Sequence, residues 1–253
     1  MLERRHVLFV EPDAERVAAH AARLVAEALN AAVAARGRAT VALAGGGTPK
    51  ALYRLLVADT AVGGYRQALP WPQLHFFFGD ERPVAPEHAD SNYRMARETL
   101  FASGLVADGQ VHRVAGELGN AQEAAAQYER ELVRYFGVAP SAWPRFDVVL
   151  LGLGSDGHTA SLFPGTLDQI PAARWVAAPH VDRLGAARIT LTPGVFNHAA
   201  LVIFLVTGRE KSGALRQLLT GDCDPEQLPS SAIAPVAGRL VVVADAAAAS
   251  ELS

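Results

Sequence analysis

Residues 146–165 read Phe-Asp-Val-Val-Leu-Leu-Gly-Leu-Gly-Ser-Asp-Gly-His-Thr-Ala-Ser-Leu-Phe-Pro-Gly. Phe146 to Leu151 is an apolar run broken only by Asp147. A short run that is apolar at both odd and even positions fits a strand buried on both faces, as in a parallel sheet held between layers of helix. Gly152, Gly154 and Gly157 then open the backbone and carry Asp156 and His158 past the strand's carboxyl end. In open α/β sheets, ligands bind beyond those ends. A histidine presented there, among residues too small to be packing units, is the leading catalytic candidate.

The flanking sequence repeats the strand–helix alternation. Val7–Val10 reads as a first strand. Pro12 and Asp13 then open an Ala-rich helix to about Arg36, whose Val17, Ala21, Leu24, Val25, Ala28 and Leu29 form one apolar stripe and which Gly37 closes. Thr40–Ala44 is a second strand, followed at once by Gly45-Gly46-Gly47-Thr48-Pro49. Thr48 suits an N-cap and Pro49 a first helical residue, for a helix through Leu56. After a loop over 59–73 that contains Gly63, Leu74–Phe78 is a third strand, ending in Gly79-Asp80-Glu81-Arg82-Pro83. Ser91-Asn92-Tyr93 opens a helix to about Ala102, and Val111–Val114 is extended. Asn120 and Glu123 have capping-box spacing for a helix that Gly137 and Pro140 close.

Downstream of the quoted stretch, Trp175–Ala178 and Ile189–Thr192 are strand-like and Pro193–Ala199 is a short helix. Leu201–Val206 is a central strand ending in Thr207-Gly208-Arg209-Glu210-Lys211. A helix runs through Leu215, Leu218 and Leu219 to Gly221, Leu240–Val243 is a last strand, and the tail from Ala246 is helical. This order predicts a single α/β domain over 1–253 with a mainly parallel, doubly wound sheet.

Composition narrows the partners. With 253 residues, half of them hydrophobic, the chain can bury one large core. A net charge of −3 without a basic block argues against nucleic acid. Cys223 is the only cysteine, which rules out an intrachain disulfide and fits a reducing compartment. The apolar run after Met1–His6 is too short for a signal core, and no window is read as membrane-spanning. The expectation is a soluble cytoplasmic protein.

Four strand ends carry chemistry: Gly45–Thr48, Gly79–Arg82, Gly152–His158 and Gly208–Lys211. Three glycines before a helix start form either a tight turn or an anion cradle of free N–H groups at the positive end of the helix dipole. Asp80-Glu81-Arg82 is either a solvated turn or an anion grip in which Arg82 binds and Asp80 or Glu81 orients it. Parallel strands bring these ends to one edge. Together they describe one pocket with a glycine cradle, two kinds of cation and one histidine, suited to a phosphorylated small molecule.

Other readings fit less well. Gly152-x-Gly154-x-x-Gly157 satisfies a dinucleotide fingerprint, but Pro164 and Gly165 prevent the long helix that should follow, and Trp175–Ala178 ends in Pro179-His180 rather than an acid. Leu153 breaks the nucleophile-elbow pattern around Ser155, and Ser161 lacks a nucleophile signature. His180-x-Asp182 falls short of a metal site. The remaining histidines sit in ordinary contexts.

Several motifs together resemble the 6-phosphogluconolactonase family. They are Gly45-Gly46-Gly47-Thr48-Pro49, Asp80-Glu81-Arg82 with Ser91-Asn92-Tyr93-Arg94, and Gly154-x-Asp156-Gly157-His158-Thr159-Ala160-Ser161-Leu162-Phe163-Pro164. Arg188-Ile189-Thr190 and Thr207-Gly208-x-x-Lys211 complete the set. The resemblance covers 45–211 and implies a three-layer α/β/α, Rossmann-like fold shared with glucosamine-6-phosphate deaminases and ribose-5-phosphate isomerases. It implies hydrolysis of 6-phospho-D-glucono-1,5-lactone in the oxidative pentose phosphate pathway, with no cofactor and no metal. The deaminases carry Asp-Glu-Tyr at 80–82 and continue Ile-Ala-Phe-Asn-Glu-Pro after the histidine, so both differences favour the lactonase. Relatives often carry Lys-Pro-Pro before the Arg-Ile-Thr segment, where this chain has Gly185-Ala186-Ala187, and often proline at Ser155.

The expected roles follow. His158 is the general base, since an imidazole titrates ordinarily at about 6.5, and Asp156 orients it or the water. Backbone N–H groups near Gly157 face the oxyanion. Arg82, Lys211 and the Gly46-Gly47-Thr48 turn hold the phosphate, with Asp80 and Arg188 in the pocket. A sugar-phosphate isomerase or deaminase and a non-catalytic sugar-phosphate sensor remain alternatives. Nothing in the sequence demands more than a monomer.

Overall fold

Asp147, the one acid in the decisive apolar run, is where the sheet is pinned. In the computed structural model, which describes residues 6–59, 64–139, 141–221 and 223–252, its Oδ2 accepts hydrogen bonds from Thr40 N (2.8 Å) and Thr40 Oγ1 (3.0 Å). Its own N–H donates back to Thr40 Oγ1 at 3.1 Å. The Arg36 guanidinium pairs with Oδ1. This clamp joins the end of one helix to the starts of two neighbouring strands, one step before their ladder begins at Val41 and Val148.

In chain order the elements are β1 (His6–Glu11), α1 (Ala14–Arg36), β2 (Ala39–Leu43), α2 (Gly47–Val57), α3 (Tyr65–Ala68), β3 (Leu74–Phe78), β4 (Asp80–Glu81), α4 (Asn92–Thr99) and α5 (Ala121–Phe136). They continue with β5 (Val148–Gly152), β6 (Val176–Ala177), β7 (His180–Val181), β8 (Ala186–Ala187), β9 (Ile189–Leu191), α6 (Pro193–Asn197), β10 (Leu201–Val206), α7 (Ser212–Thr220) and β11 (Arg239–Asp245). The main sheet has six strands in the order β1-β11-β10-β5-β2-β3. Every pairing in it is parallel. Helices cover it in a three-layer α/β/α arrangement. Val148 to Leu151 and all of β10 are buried, as strands enclosed on both faces must be.

Local signals explain most boundaries. Asp13 caps α1 by accepting from Arg16 N (2.8 Å), and Gly37 ends it in the left-handed region. Ser91 caps α4, and Asn120 caps α5 by accepting from Gln122 N and Glu123 N. Gly63 and Pro140, and residues 1–5, lie outside the described residues.

Some expectations need correction. Helix α1, at 23 residues, is long and apolar enough to cross a membrane by length and composition, contrary to the expectation that no window is. Its buried stripe, from Val17 through Leu29, instead packs into the core. Strand β5 starts at Val148 rather than Phe146, because Asp147 is spent on the Thr40 clamp. Helix α4 ends at Thr99, before a short 3-10 turn at Phe101–Ser103. Val111–Val114 contributes a single bridge, Phe76 to Val111. The tail from Ala246 forms turns, with Asp245 Oδ1 accepting from Ala248 N (2.7 Å), and is not helical. Trp175–Ala178 and Ile189–Thr192 do supply strands, but outside the main sheet. There β9 pairs antiparallel with both β4 and β6, while β7 and β8 form a separate hairpin.

Replacing Asp147 by Ala leaves the Thr40 N–H and the Arg36 guanidinium without their acceptor. The expected cost is about 2 kcal/mol, read as a lower urea midpoint with an unchanged slope. A wild-type midpoint would show that the clamp is not what aligns β2 with β5.

Candidate active site

The loop after β5 folds back on itself. Gly154 N donates to His158 O (2.8 Å) and Gly157 N to Gly154 O (3.0 Å), which closes a tight turn. Gly157 takes φ +82°, a backbone that favours glycine. Asp156 Oδ1 accepts from His158 N at 3.2 Å and lies 2.5 Å from His158 Nδ1. With Nδ1 engaged, Nε2 is the ring nitrogen left for a substrate. Gly154 is required by close approach: a Cβ there would overlap both His158 Nδ1 and Asp156 Oδ1.

Aromatic and cationic neighbours complete this pair. The Phe163 ring stacks on the His158 imidazole, with centroids 4.5 Å apart and planes 25° apart. The Arg183 guanidinium pairs with Asp156 Oδ2 and lies 4.8 Å from the Phe163 centroid. Burial pushes the Asp156 carboxyl up, but the His158 hydrogen bonds and the Arg183 charge outweigh it and hold the group below its ordinary range. Thr159 Oγ1 donates to Gly152 O (2.8 Å), tying the loop to its strand. Ala160 then sits at φ +48°, a costly backbone for a residue with a Cβ, and Ser161 Oγ reaches Asp80 Oδ2 at 2.6 Å.

The carboxylates after β3 are buried rather than solvated, and they have separate partners. Glu81 accepts from Arg82 N (2.9 Å), Asn92 N (2.7 Å), Tyr93 N (2.8 Å) and Ser91 Oγ (3.1 Å). It therefore holds the N-terminus of α4 and does not orient the Arg82 guanidinium. Burial pushes its carboxyl above the ordinary range, and the backbone donors pull it part of the way back. Asp80 accepts from Asn92 Nδ2 (3.1 Å) as well as Ser161. The Arg82 guanidinium donates to Asp90 O.

The cleft between these loops has a volume of about 940 Å³, within the range of small-molecule sites. Gly45–Thr48, Asp80, Arg82, His158 and Lys211 all line it, so all four strand ends meet there. Thr48 is not the N-cap of α2. The helix starts at Gly47 with Gly46 as cap, and Thr48 Oγ1 instead shares a 2.8 Å hydrogen bond with Thr207 Oγ1, joining two of the loops. The first-turn N–H groups of a helix have no partner within it, and at α2 they open toward this cleft.

Three expected residues do not line the cleft. Asp156 stands behind His158. The Gly157 N–H is taken up by Gly154 O, so it does not face an oxyanion. Arg188 donates to Ala187 O (3.0 Å), and burial, then the like charge of Arg82, pushes its guanidinium down. Arg188 is thus an electrostatic neighbour of Arg82. Asn92, which lines the cleft and holds Asp80, was legible only as part of the Ser91-Asn92-Tyr93 motif. Arg183 carried no sequence signal, because its partner lies 27 positions away (183 − 156). Among the described residues, no group of three His, Cys, Asp or Glu side chains is arranged to hold a metal.

Comparison with known proteins adds an independent finding. The family model described as glucosamine-6-phosphate isomerases/6-phosphogluconolactonase matches residues 12–242. A 6-phosphogluconolactonase of Nostoc sp. is 41% identical over 244 residues, 96% of this chain and 97% of that protein. One of Synechocystis sp. is 40% identical over 221 residues, 87% of this chain and 88% of that protein. The solved 6-phosphogluconolactonase from Trypanosoma cruzi is similar with a TM-score of 0.84 at 30% identity, covering 100% of this chain and 98% of its own. A monomeric glucosamine-6-phosphate deaminase has a TM-score of 0.77 at 21% identity over 97% of this chain and 99% of its own, a likeness of fold alone.

Gly154→Ala tests the close approach directly. The added methyl is expected to push His158 and Asp156 apart in a crystal structure of the variant while β5 stays in place. A 2.5 Å contact that survives the added methyl would remove the reason given for this glycine.

Proposed function

Because the chain belongs to the family of glucosamine-6-phosphate isomerases and 6-phosphogluconolactonases, we propose that it hydrolyses 6-phospho-D-glucono-1,5-lactone to 6-phosphogluconate in the oxidative pentose phosphate pathway, with His158 as general base. The observation that carries the assignment to His158 is its pairing with Asp156 at the edge of a cleft that also holds the glycine cradle and two cations. Relatives about 40% identical over most of their length bear the lactonase name. The run Thr159-Ala160-Ser161-Leu162-Phe163-Pro164 after the histidine separates the chain from deaminases.

The chemistry is acyl transfer to water. The lactone seats its phosphate between the N-terminus of α2, Arg82 and Lys211, with its C1 carbonyl toward His158. The Nε2 of His158 takes a proton from a water as the water oxygen attacks C1. The tetrahedral intermediate then collapses, the bond from C1 to the ring oxygen breaks, and the imidazolium returns its proton to that oxygen. Asp156, held ionised, accepts from Nδ1–H and stabilises the imidazolium in between. The oxyanion donors must come from groups other than the Gly157 N–H. Arg82 and the neighbouring Arg188 repel each other, and a dianionic phosphate beside them relieves that repulsion. The single cysteine accords with a cytoplasmic setting.

His158→Ala is expected to lower kcat by roughly 10²–10⁴ in a rapid lactone assay corrected for spontaneous hydrolysis. Turnover close to wild type would remove His158 from the mechanism. Arg82→Ala is expected to raise KM about tenfold or more for the phosphorylated lactone and to leave kinetics on unphosphorylated glucono-1,5-lactone nearly unchanged. Equal losses on both substrates would argue against a phosphate contact.

A further inference from the structure

The hairpin of β7 and β8 pairs His180 with Ala187 and Val181 with Ala186. Its tip is a 3-10 turn, Asp182–Leu184, closed by Gly185 N donating to Asp182 O (3.0 Å). The hairpin belongs to neither of the other sheets. Gln169 fixes its base, donating from Nε2 to His180 O (3.1 Å) and accepting from His180 N (2.8 Å). Gly185-Ala186-Ala187 contains no proline, so each of these residues keeps the N–H that a ladder needs.

The tip carries one side chain to the catalytic loop. Arg183 reaches Asp156 Oδ2, the carboxylate oxygen that His158 Nδ1 does not use. Its guanidinium also covers the Phe163 ring, whose plane is stacked on the imidazole. Asp156 and Phe163 are therefore each shared between Arg183 and His158. Two independent contacts link the hairpin to the base, and Arg183 itself does not line the cleft.

We infer that Arg183 is a positioning residue, which holds the Asp156 carboxylate and the Phe163 ring and through them fixes the tautomer and aim of His158. The inference rests on His158 being the base of lactone hydrolysis. The charge relations follow from the geometry. A carboxylate beside an imidazole favours the imidazolium, and a guanidinium on the same carboxylate offsets that preference. Arg183 thus lets Asp156 orient the ring without leaving the carboxylate's charge unopposed beside it. The other charged side chains lining the cleft are Glu15, Asp80, Glu210, Arg54, Arg82 and Lys211, three acidic and three basic groups whose formal charges balance. Removing Arg183 leaves Asp156 as the uncompensated neighbour.

The test is kcat and KM between pH 5 and 8 for wild type, Arg183→Met, Arg183→Lys and His158→Ala, with thermal melts of each. In Arg183→Met, kcat at neutral pH is expected to fall about 3- to 10-fold through looser orientation, with KM within about twofold. The acid limb of kcat is expected to move to higher pH, because the carboxylate then acts on the imidazole unopposed. Arg183→Lys keeps the charge and is expected to restore the limb. Wild-type kcat and limb in Arg183→Met, alongside an inactive His158→Ala, would overturn the inference and leave the general base standing. So would a rise confined to KM, which would place Arg183 on the substrate. An equal kcat loss in the Met and Lys variants with an unmoved limb would reduce Arg183 to a structural part and also overturn it. Retained turnover in His158→Ala would instead remove the premise.

Discussion

A parallel sheet sends the carboxyl end of every strand to the same edge, and this constraint organises the whole molecule. The loops after β2, β3, β5 and β10 come from positions far apart in the chain, yet they meet because their strands run the same way. No one of these loops is a site alone. For the proposed reaction, the glycine turn alone would lack a reactive group, Arg82 and Lys211 a carbonyl-directed base, and His158 an anchor for a charged substrate. The sheet supplies what each lacks by placing the others beside it.

Loops rich in glycine gain little from packing, so something else must hold them. Here it is buried carboxylates that accept backbone N–H groups. Glu81 takes the first N–H groups of α4, and Asp245 takes Gly208 N and Ala248 N. Asp147 does the same at the opposite edge, where it starts the pairing of β2 with β5. A buried carboxylate is costly unless its lone pairs are filled, and each of these has two or more donors. The result is a cleft whose walls are set by directional bonds, so that the His158–Asp156 pair can be held at 2.5 Å. The Ala160 backbone and the lack of room at Gly154 show how tightly that wall is drawn.

Much of this was legible in the sequence because it depends on short range. Helix caps at Asp13, Ser91 and Asn120 act within three residues, and the apolar runs of β5 and β10 report burial on both faces directly. The meeting of four strand ends followed from the alternation of strand and helix alone. Less was legible where partners are remote. Asp80 and Glu81 could be read as one solvated acidic turn and are two buried acceptors with different clients. The antiparallel pairing of β4, β6 and β9 left no pattern, since two- and three-residue strands carry no period. The shift of Thr48 from cap to cross-loop partner depended on Thr207, a residue in another loop.

The sequence by itself determined the elements, the parallel class of the main sheet and the histidine that its central strand presents, because periodicity, capping and glycine placement are properties of neighbours along the chain. Only the tertiary structure decided which side chains serve that histidine. The Gly157 N–H turned out to be committed to its own loop, Arg188 to stand beside Arg82 outside the cleft, and Arg183 to reach Asp156 from a hairpin. Those outcomes rest on contacts of a few ångströms between segments tens of residues apart, and folding, rather than local preference, sets such distances.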